Sequence, residues 1–318
     1  MVNRVCDLLG IDYPIVMGGM IWIGSAPFAA AVSNAGALGM VAAGHLSPDE
    51  LRLEIRKARE LTDKPFGVNM PLQVPWAADW IAVAIEERVR AVFTSAGNPQ
   101  RFTPALKQAG IAVAHVVSTV RMAGKAEGAG VDAVVAEGFE AGGHNSFEEL
   151  STMVLVPQVV DAVKVPVIAA GGIADARGFI AALALGAEGV QMGTRFAATV
   201  ESTAHPNFKQ AILAAGDTDT VITGRRVGPV RIIKNKLARE VLEMEAKGLS
   251  DGELLTFIGH GRSKMAMVDG DVENGSVMSG QIAGMIRELV TVKEVVDSIV
   301  GGAPAISERV ARLLPTSR

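Results

Sequence analysis

The chain has 318 residues, of which 49% are hydrophobic and 20% charged. That supplies apolar material for a large core and excludes a disordered or charge-driven chain; the length suits two domains, or one α/β barrel with an appendage. A net charge of −4 and 4% aromatic residues give neither a basic field nor stacking platforms, which excludes nucleic acid as a partner.

The first residues are broken by Asp7 and Asp12 and carry no secretory leader, so the cytoplasm is the expected compartment. The single cysteine, Cys6, rules out an intrachain disulfide and any multi-cysteine metal site, and is expected as a small, partly buried hydrophobe. From Tyr13 to Pro48 there is no Asp, Glu, Lys or Arg. Gly18-Gly19, Gly24-Ser25, Pro27, Asn34 and Gly36 cut this stretch, so it reads as a buried strand–helix–strand and not as a membrane span. Short apolar runs at 14–17, 38–42, 66–69, 91–94, 112–117, 133–136, 167–170 and 189–192 predict eight strands. Their hydrophobicity is continuous, as for strands buried on both faces of a parallel sheet. Helical segments separate them. One is capped by Ser47-Pro-Asp-Glu50 and runs through Leu61; another follows Asp175 and ends near Gly186. This rhythm within about 200 residues predicts a (β/α)8 TIM barrel, α/β in class. After residue 200 the rhythm changes: 206–216, 230–248 and 280–300 read as helices and 269–275 as a turn. The expected organisation is a barrel from 1–200 plus closing helices from about 276–318, with a small helical cap over about 201–275.

In such a barrel, ligand-binding groups gather at the carboxyl ends of the strands. Met17-Gly-Gly-Met20 follows the first strand and Asn69 ends the third. Ala136-Glu-Gly-Phe-Glu-Ala-Gly-Gly-His144 follows the sixth, Ala169-Ala-Gly-Gly-Ile173 the seventh and Gln191-Met-Gly-Thr-Arg195 the eighth. Gly171-Gly172 and Gly193-Thr194 let backbone N–H groups approach an anion without a Cβ in the way, and phosphate sites in barrels use these two loops. Glycines split between two loops suit a monophosphate such as FMN better than a dinucleotide, which takes one Gly-rich turn. His144, behind Gly142-Gly143 at the barrel mouth, is the candidate acid–base residue. His115 is a second histidine able to face the pocket, His205 before Pro206 reads as a turn-fixing residue, and His45 and His260 as surface or cap residues. No spacing suits a transition metal. The basic run Arg225-Arg226, Arg231, Lys234 and Lys236 reads as a solvated face.

These residues resemble the flavin-dependent family of enoyl-ACP reductase II (FabK type) and nitronate monooxygenase, once called 2-nitropropane dioxygenase. The resemblance covers most of the chain, through Asp12-Tyr-Pro-Ile15, Gly18-Gly-Met20, Leu61-Thr-Asp-Lys-Pro-Phe-Gly-Val-Asn69, Ala96-Gly-Asn-Pro99 and the glycine motifs above. Glu140-Ala-Gly-Gly-His144, Glu201-Ser-Thr-Ala-His-Pro206, Ile233-Lys-Asn-Lys-Leu237 and the run from Val268 to Gly284 are similar to the reductase branch. That branch implies an FMN barrel, usually dimeric, that uses NADH or NADPH to reduce the 2,3-double bond of a carrier-bound enoyl thioester in fatty-acid synthesis. By position, Gly18, Gly19, Met20, Asn69, Gly142, Gly143, Ala170, Gly171, Gly172, Gln191, Met192, Gly193 and Thr194 would hold the flavin, with His144 beside its ring. The family's dependence on a monovalent cation is also implied, without assigned ligands. Three loops depart from the reductase pattern: Asn145-Ser-Phe-Glu-Glu-Leu150, Met70-Pro-Leu-Gln-Val-Pro-Trp76 and Gly19-Met-Ile-Trp-Ile-Gly24. The last is similar to the monooxygenase and NADH:quinone reductase relatives, so nitronate oxidation and quinone reduction are the alternative activities. A non-catalytic phosphate- or flavin-binding barrel is the alternative from outside the enzymes.

Overall fold

A computed structural model describes residues 3–314; Met1 and Val2 of the leader reading, and 315–318 of the closing stretch, lie outside it. Eleven strands are present among the described residues: β1 (Ile15–Met17), β2 (Gly39–Ala42), β3 (Phe66–Pro71), β4 (Ala91–Ser95), β5 (Ala112–Val117), β6 (Ala133–Glu137), β7 (Gly143–His144), β8 (Val167–Ala170), β9 (Gly189–Met192), β10 (Thr220–Thr223) and β11 (Val230–Ile233). Eight of them form one parallel sheet in the order β1-β9-β8-β6-β5-β4-β3-β2. The bridge between Val16 and Leu38 brings its two ends together, so the sheet closes as a TIM barrel. All eight are the predicted strands, each within two residues of its expected ends. Their residues are almost wholly buried, because side chains of one face fill the barrel and those of the other meet the helices.

Local signals set the helices. Ser47 accepts from the Glu50 N–H while the Glu50 carboxylate accepts from the Ser47 N–H, closing the expected box on the helix Pro48–Leu61. Asp175 caps Ala176–Ala184 in the same spirit. Phe28, Trp80 and Phe196 on helices and Phe93 on β4 are fully buried. Each such side chain contributes roughly 1.5–3 kcal/mol of transfer free energy. The long helix Val292–Leu313 packs on Ala176–Ala184 and closes the barrel wall.

The segment after residue 200 departs from expectation. It is not purely helical: β10 and β11 form an antiparallel hairpin, and β11 also pairs with β7. The stretch 230–248 therefore splits into β11 and a helix that starts at Lys236, where Asn235 accepts from the Ala238 N–H. In 280–300, a short 3-10 turn Gln281–Met285 precedes extended chain, and the helix begins only at Val292, where Thr291 and Glu294 form a capping box. A second apolar cluster, with Ile23, Phe208, Ile212, Met267 and Ile282, joins this segment to the barrel mouth. No helix among the described residues is long and apolar enough to cross a membrane.

Candidate active site

The strand ends surround a cavity of about 360 Å³, within the usual range for a small-molecule site. Its floor is built strand by strand from Gly18 and Gly19 after β1, Asn69, Ser95, Val116, Glu137, Ala170 and Gln191. Phe208, Met267, Met278 and Ile282 roof it from the segment after residue 200. Every residue expected at the flavin, from Gly18 to Thr194, lines this one cavity, and so does His144.

Two glycines are fixed by space. A Cβ on Gly19 would lie 2.0 Å from Cγ of Asn69, so this loop runs directly over that side chain. Gly171 has φ +86°, and a Cβ there would sit 2.6 Å from the Gly138 carbonyl oxygen. Both conditions exclude an L side chain. Among the described residues no acceptor takes the N–H groups of Gly171, Gly172, Gly193 or Thr194. These four N–H groups stand on two loops that border one cavity, where an anionic ligand can accept from them. The donor set fits a phosphomonoester, so the residues present fit a flavin mononucleotide, with the other lining residues left for its ring and the substrate.

His144 lies on a strand and not in a free loop. β7 pairs with β11 through Val230–His144 and Arg231–Gly143, and the Asn145 N–H donates to the Pro229 carbonyl over 2.8 Å. Asn145 Nδ2 donates to the Ala141 carbonyl at 2.9 Å, bracing the turn before it. The imidazole is exposed at the cavity, and desolvation by the protein around it lowers its pKa from the ordinary histidine value. It is therefore neutral at pH 7. Arg231, read as part of a solvated face, is 5% exposed. Its guanidinium donates to the Phe139 carbonyl (3.1 and 2.8 Å) and to Thr220 Oγ1 (3.2 Å), fastening the loop after β6 to the hairpin. Burial lowers its pKa, against the pull of the Glu140 charge. The exposed neighbours Arg225 and Arg226 pair with Glu149 and Asp251, as a solvated face does.

The other histidines separate cleanly. His115 is 2% exposed, its Nδ1 lies 2.7 Å from Thr94 Oγ1, and desolvation pushes its pKa down to about 4. Val116 lines the cavity, so strand alternation turns His115 the other way and removes it from the site. His205 Nδ1 accepts from the Asn207 N–H and fixes its turn as expected. His260 is exposed, whereas His45 is half-buried beside the Trp22 ring, 4.7 Å between centroids. Cys6 is partly buried, with its thiol pushed up to about 11 by burial first and then by Asp7 and Asp12. No cluster of metal-binding side chains exists among the described residues.

The pattern of the family described as nitronate monooxygenase matches residues 3–302. The chain belongs to the nitronate monooxygenase family. Like that family it is a flavin-dependent oxidoreductase. A solved structure of FabK from Thermotoga maritima superposes with a TM-score of 0.94 at 46% identity, covering 99% of this chain and 100% of that one. A nitroalkane oxidase from Streptomyces ansochromogenes superposes with 0.83 at 30%, covering 96% and 99%. A Mycobacterium tuberculosis (3aS,4S,5R,7aS)-5-hydroxy-7a-methyl-1-oxo-octahydro-1H-indene-4-carboxyl-CoA dehydrogenase is 36% identical over 92% of this chain and 94% of its own.

Sequence reasoning passed over Glu137 and Glu140, although both stand in the motif quoted for this family. Glu140 accepts from the Thr152 N–H at 2.9 Å, and the Thr152 hydroxyl lies 2.9 Å from the Gly171 carbonyl, so this carboxylate braces the Gly171-Gly172 loop. Glu137 faces the cavity directly. Its signal was its register, one residue past a predicted strand end. The roof residues left no such signal, because their spacing has no period tied to the barrel.

Proposed function

We propose that this chain binds FMN and reduces the carbon–carbon double bond of enoyl thioesters with NADH or NADPH. The observation that carries the reading is the wall: it contains no Lys or Arg. A neutral enoyl thioester enters such a wall without an unmatched charge, whereas an anionic nitronate finds no cation to replace its hydration. The roof of Phe208, Met267, Met278 and Ile282 gives an acyl chain apolar surface to cover. When bound, the flavin supplies a hydride carrier between nicotinamide and substrate. The chain's own residues do the rest. The N–H groups of Gly171, Gly172, Gly193 and Thr194 hold the phosphate, and the floor orients the ring. His144, neutral at pH 7, carries one N–H donor and one bare ring nitrogen. Its N–H donates to the thioester carbonyl as negative charge develops there, a role worth at least about 10² in rate, while water supplies the proton that the α-carbon takes. The solved nitroalkane oxidase relative supports a second reading, nitronate oxidation, in which the same imidazole would serve as base. Anaerobic reoxidation of the NADH-reduced protein separates them. Crotonyl thioester outpacing quinone, and air failing to accelerate turnover with propionate 3-nitronate, is expected; turnover of the nitronate alone overturns the reductase reading.

A further inference from the structure

Three ionisable side chains line the cavity: Glu137, Glu140 and His144. Glu140 is engaged by Thr152, with Arg231 of β11 behind it, and His144 is held on β7. Glu137 has neither arrangement. It is the last residue of β6, with Ala170 as its partner on β8, directly before the Gly171-Gly172 turn. The neighbouring strands present Val116, Ala170 and Gln191 to the same floor, and none of these carries a charge. Burial alone raises its carboxyl to about 7, with no hydrogen bond or neighbouring charge contributing. Filling the cavity strips the remaining water from this group, and a phosphate dianion one turn away adds like charge. Both effects favour the neutral acid. A neutral carboxyl is also a hydrogen-bond donor, which the ionised form is not.

We propose that the Glu137 carboxyl is the proton-bearing group of the cavity: in the loaded protein it is neutral and donates to an acceptor on the bound ligand, so that filling the cavity above neutral pH draws a proton from solution. The balance is simple: one proton passes from buffer to a carboxylate oxygen, and no electrons move. The inference rests on the flavin reading for the ligand's identity.

Calorimetric titration of the flavin-free full chain with FMN at pH 8, in Hepes and in Tris, counts the protons taken up. At that pH a carboxyl titrating near 7 is about nine-tenths ionised beforehand. Uptake of between about one half and one proton by the unaltered chain is expected. Glu137→Gln, which keeps a donor, should bind within about threefold and take up none. Glu137→Ala, the second variant, should also take up none and bind at least about tenfold more weakly. FMN binding with no proton uptake, or equal uptake by a Glu137 variant, overturns this proposal and leaves the flavin reading standing. No FMN binding by the unaltered chain overturns both.

Discussion

The floor and the roof of the cavity are built by different means. The floor consists of residues at the ends of eight strands that pair all the way round, so each position is set by a closed hydrogen-bonded register. The roof comes from a segment with short elements, a three-stranded sheet and small apolar clusters of its own. His144 is where the two meet: its chain leaves the barrel after β6 and is captured by β11. A rigid floor suits a cofactor whose ring and phosphate must stay put, and a separately built roof suits a substrate pocket that varies among relatives. Of the three sequence departures, 19–24 begins at the floor residue Gly19, 70–76 begins within β3, and 145–150 follows β7 at the joint.

The comparison can be broken at its joint. His144→Ala should lower kcat/KM for a crotonyl thioester by about 10²–10⁴ while FMN remains bound with an unchanged visible spectrum. Steady-state kinetics and absorbance together check this, and loss of flavin in the variant would place His144 with the floor instead. Gly171→Ala tests the floor. A side chain at φ +86° against the Gly138 carbonyl should cost roughly 1–3 kcal/mol and weaken FMN binding at least tenfold, read by fluorescence quenching. Arg231→Met tests the fastening between the halves. It leaves the Phe139 carbonyl without its donor, for a loss of roughly 1–3 kcal/mol in thermal unfolding of the flavin-free protein. Activity should fall further than flavin affinity, since His144 hangs on the same strand pair.

The last effect is pH-dependent. Glu137 titrates near 7 in the folded chain against 4.5 for an ordinary glutamate. The folded state therefore holds the extra proton between these values, and stability falls as pH rises through that window. Below about 4.5 there is no penalty; above 7 it is complete, at most roughly 3 kcal/mol. Glu137→Gln should accordingly raise the melting temperature of the flavin-free protein by a few degrees at pH 8 and leave it unchanged at pH 4.5. Equal shifts at both pH values would mean that the residue acts through packing and not through its charge.

The barrel was legible because its strands are buried on both faces, which writes them as uninterrupted apolar runs between capped helices. The floor followed from them, since a strand's end names its site residue. The hairpin β10–β11 was not legible. Each strand has four residues, too few to display alternation, and Arg231 in the middle of Val230–Ile233 carries the mark of an exposed helix face. Its burial depends on the Phe139 carbonyl, 92 positions away in sequence. Glu137 was passed over for a similar reason: an acid after a strand reads as solvated until the cavity around it is known.

The central claim is that backbone donors from two loops grip a phosphate and so hold a flavin on the barrel floor. Parallel titration of the flavin-free chain with FMN and with riboflavin measures it directly. Binding of FMN at least about a hundredfold tighter than riboflavin is the predicted result, as four convergent N–H donors to a dianion would give. Equal affinity for the two, or no binding of either, would contradict it.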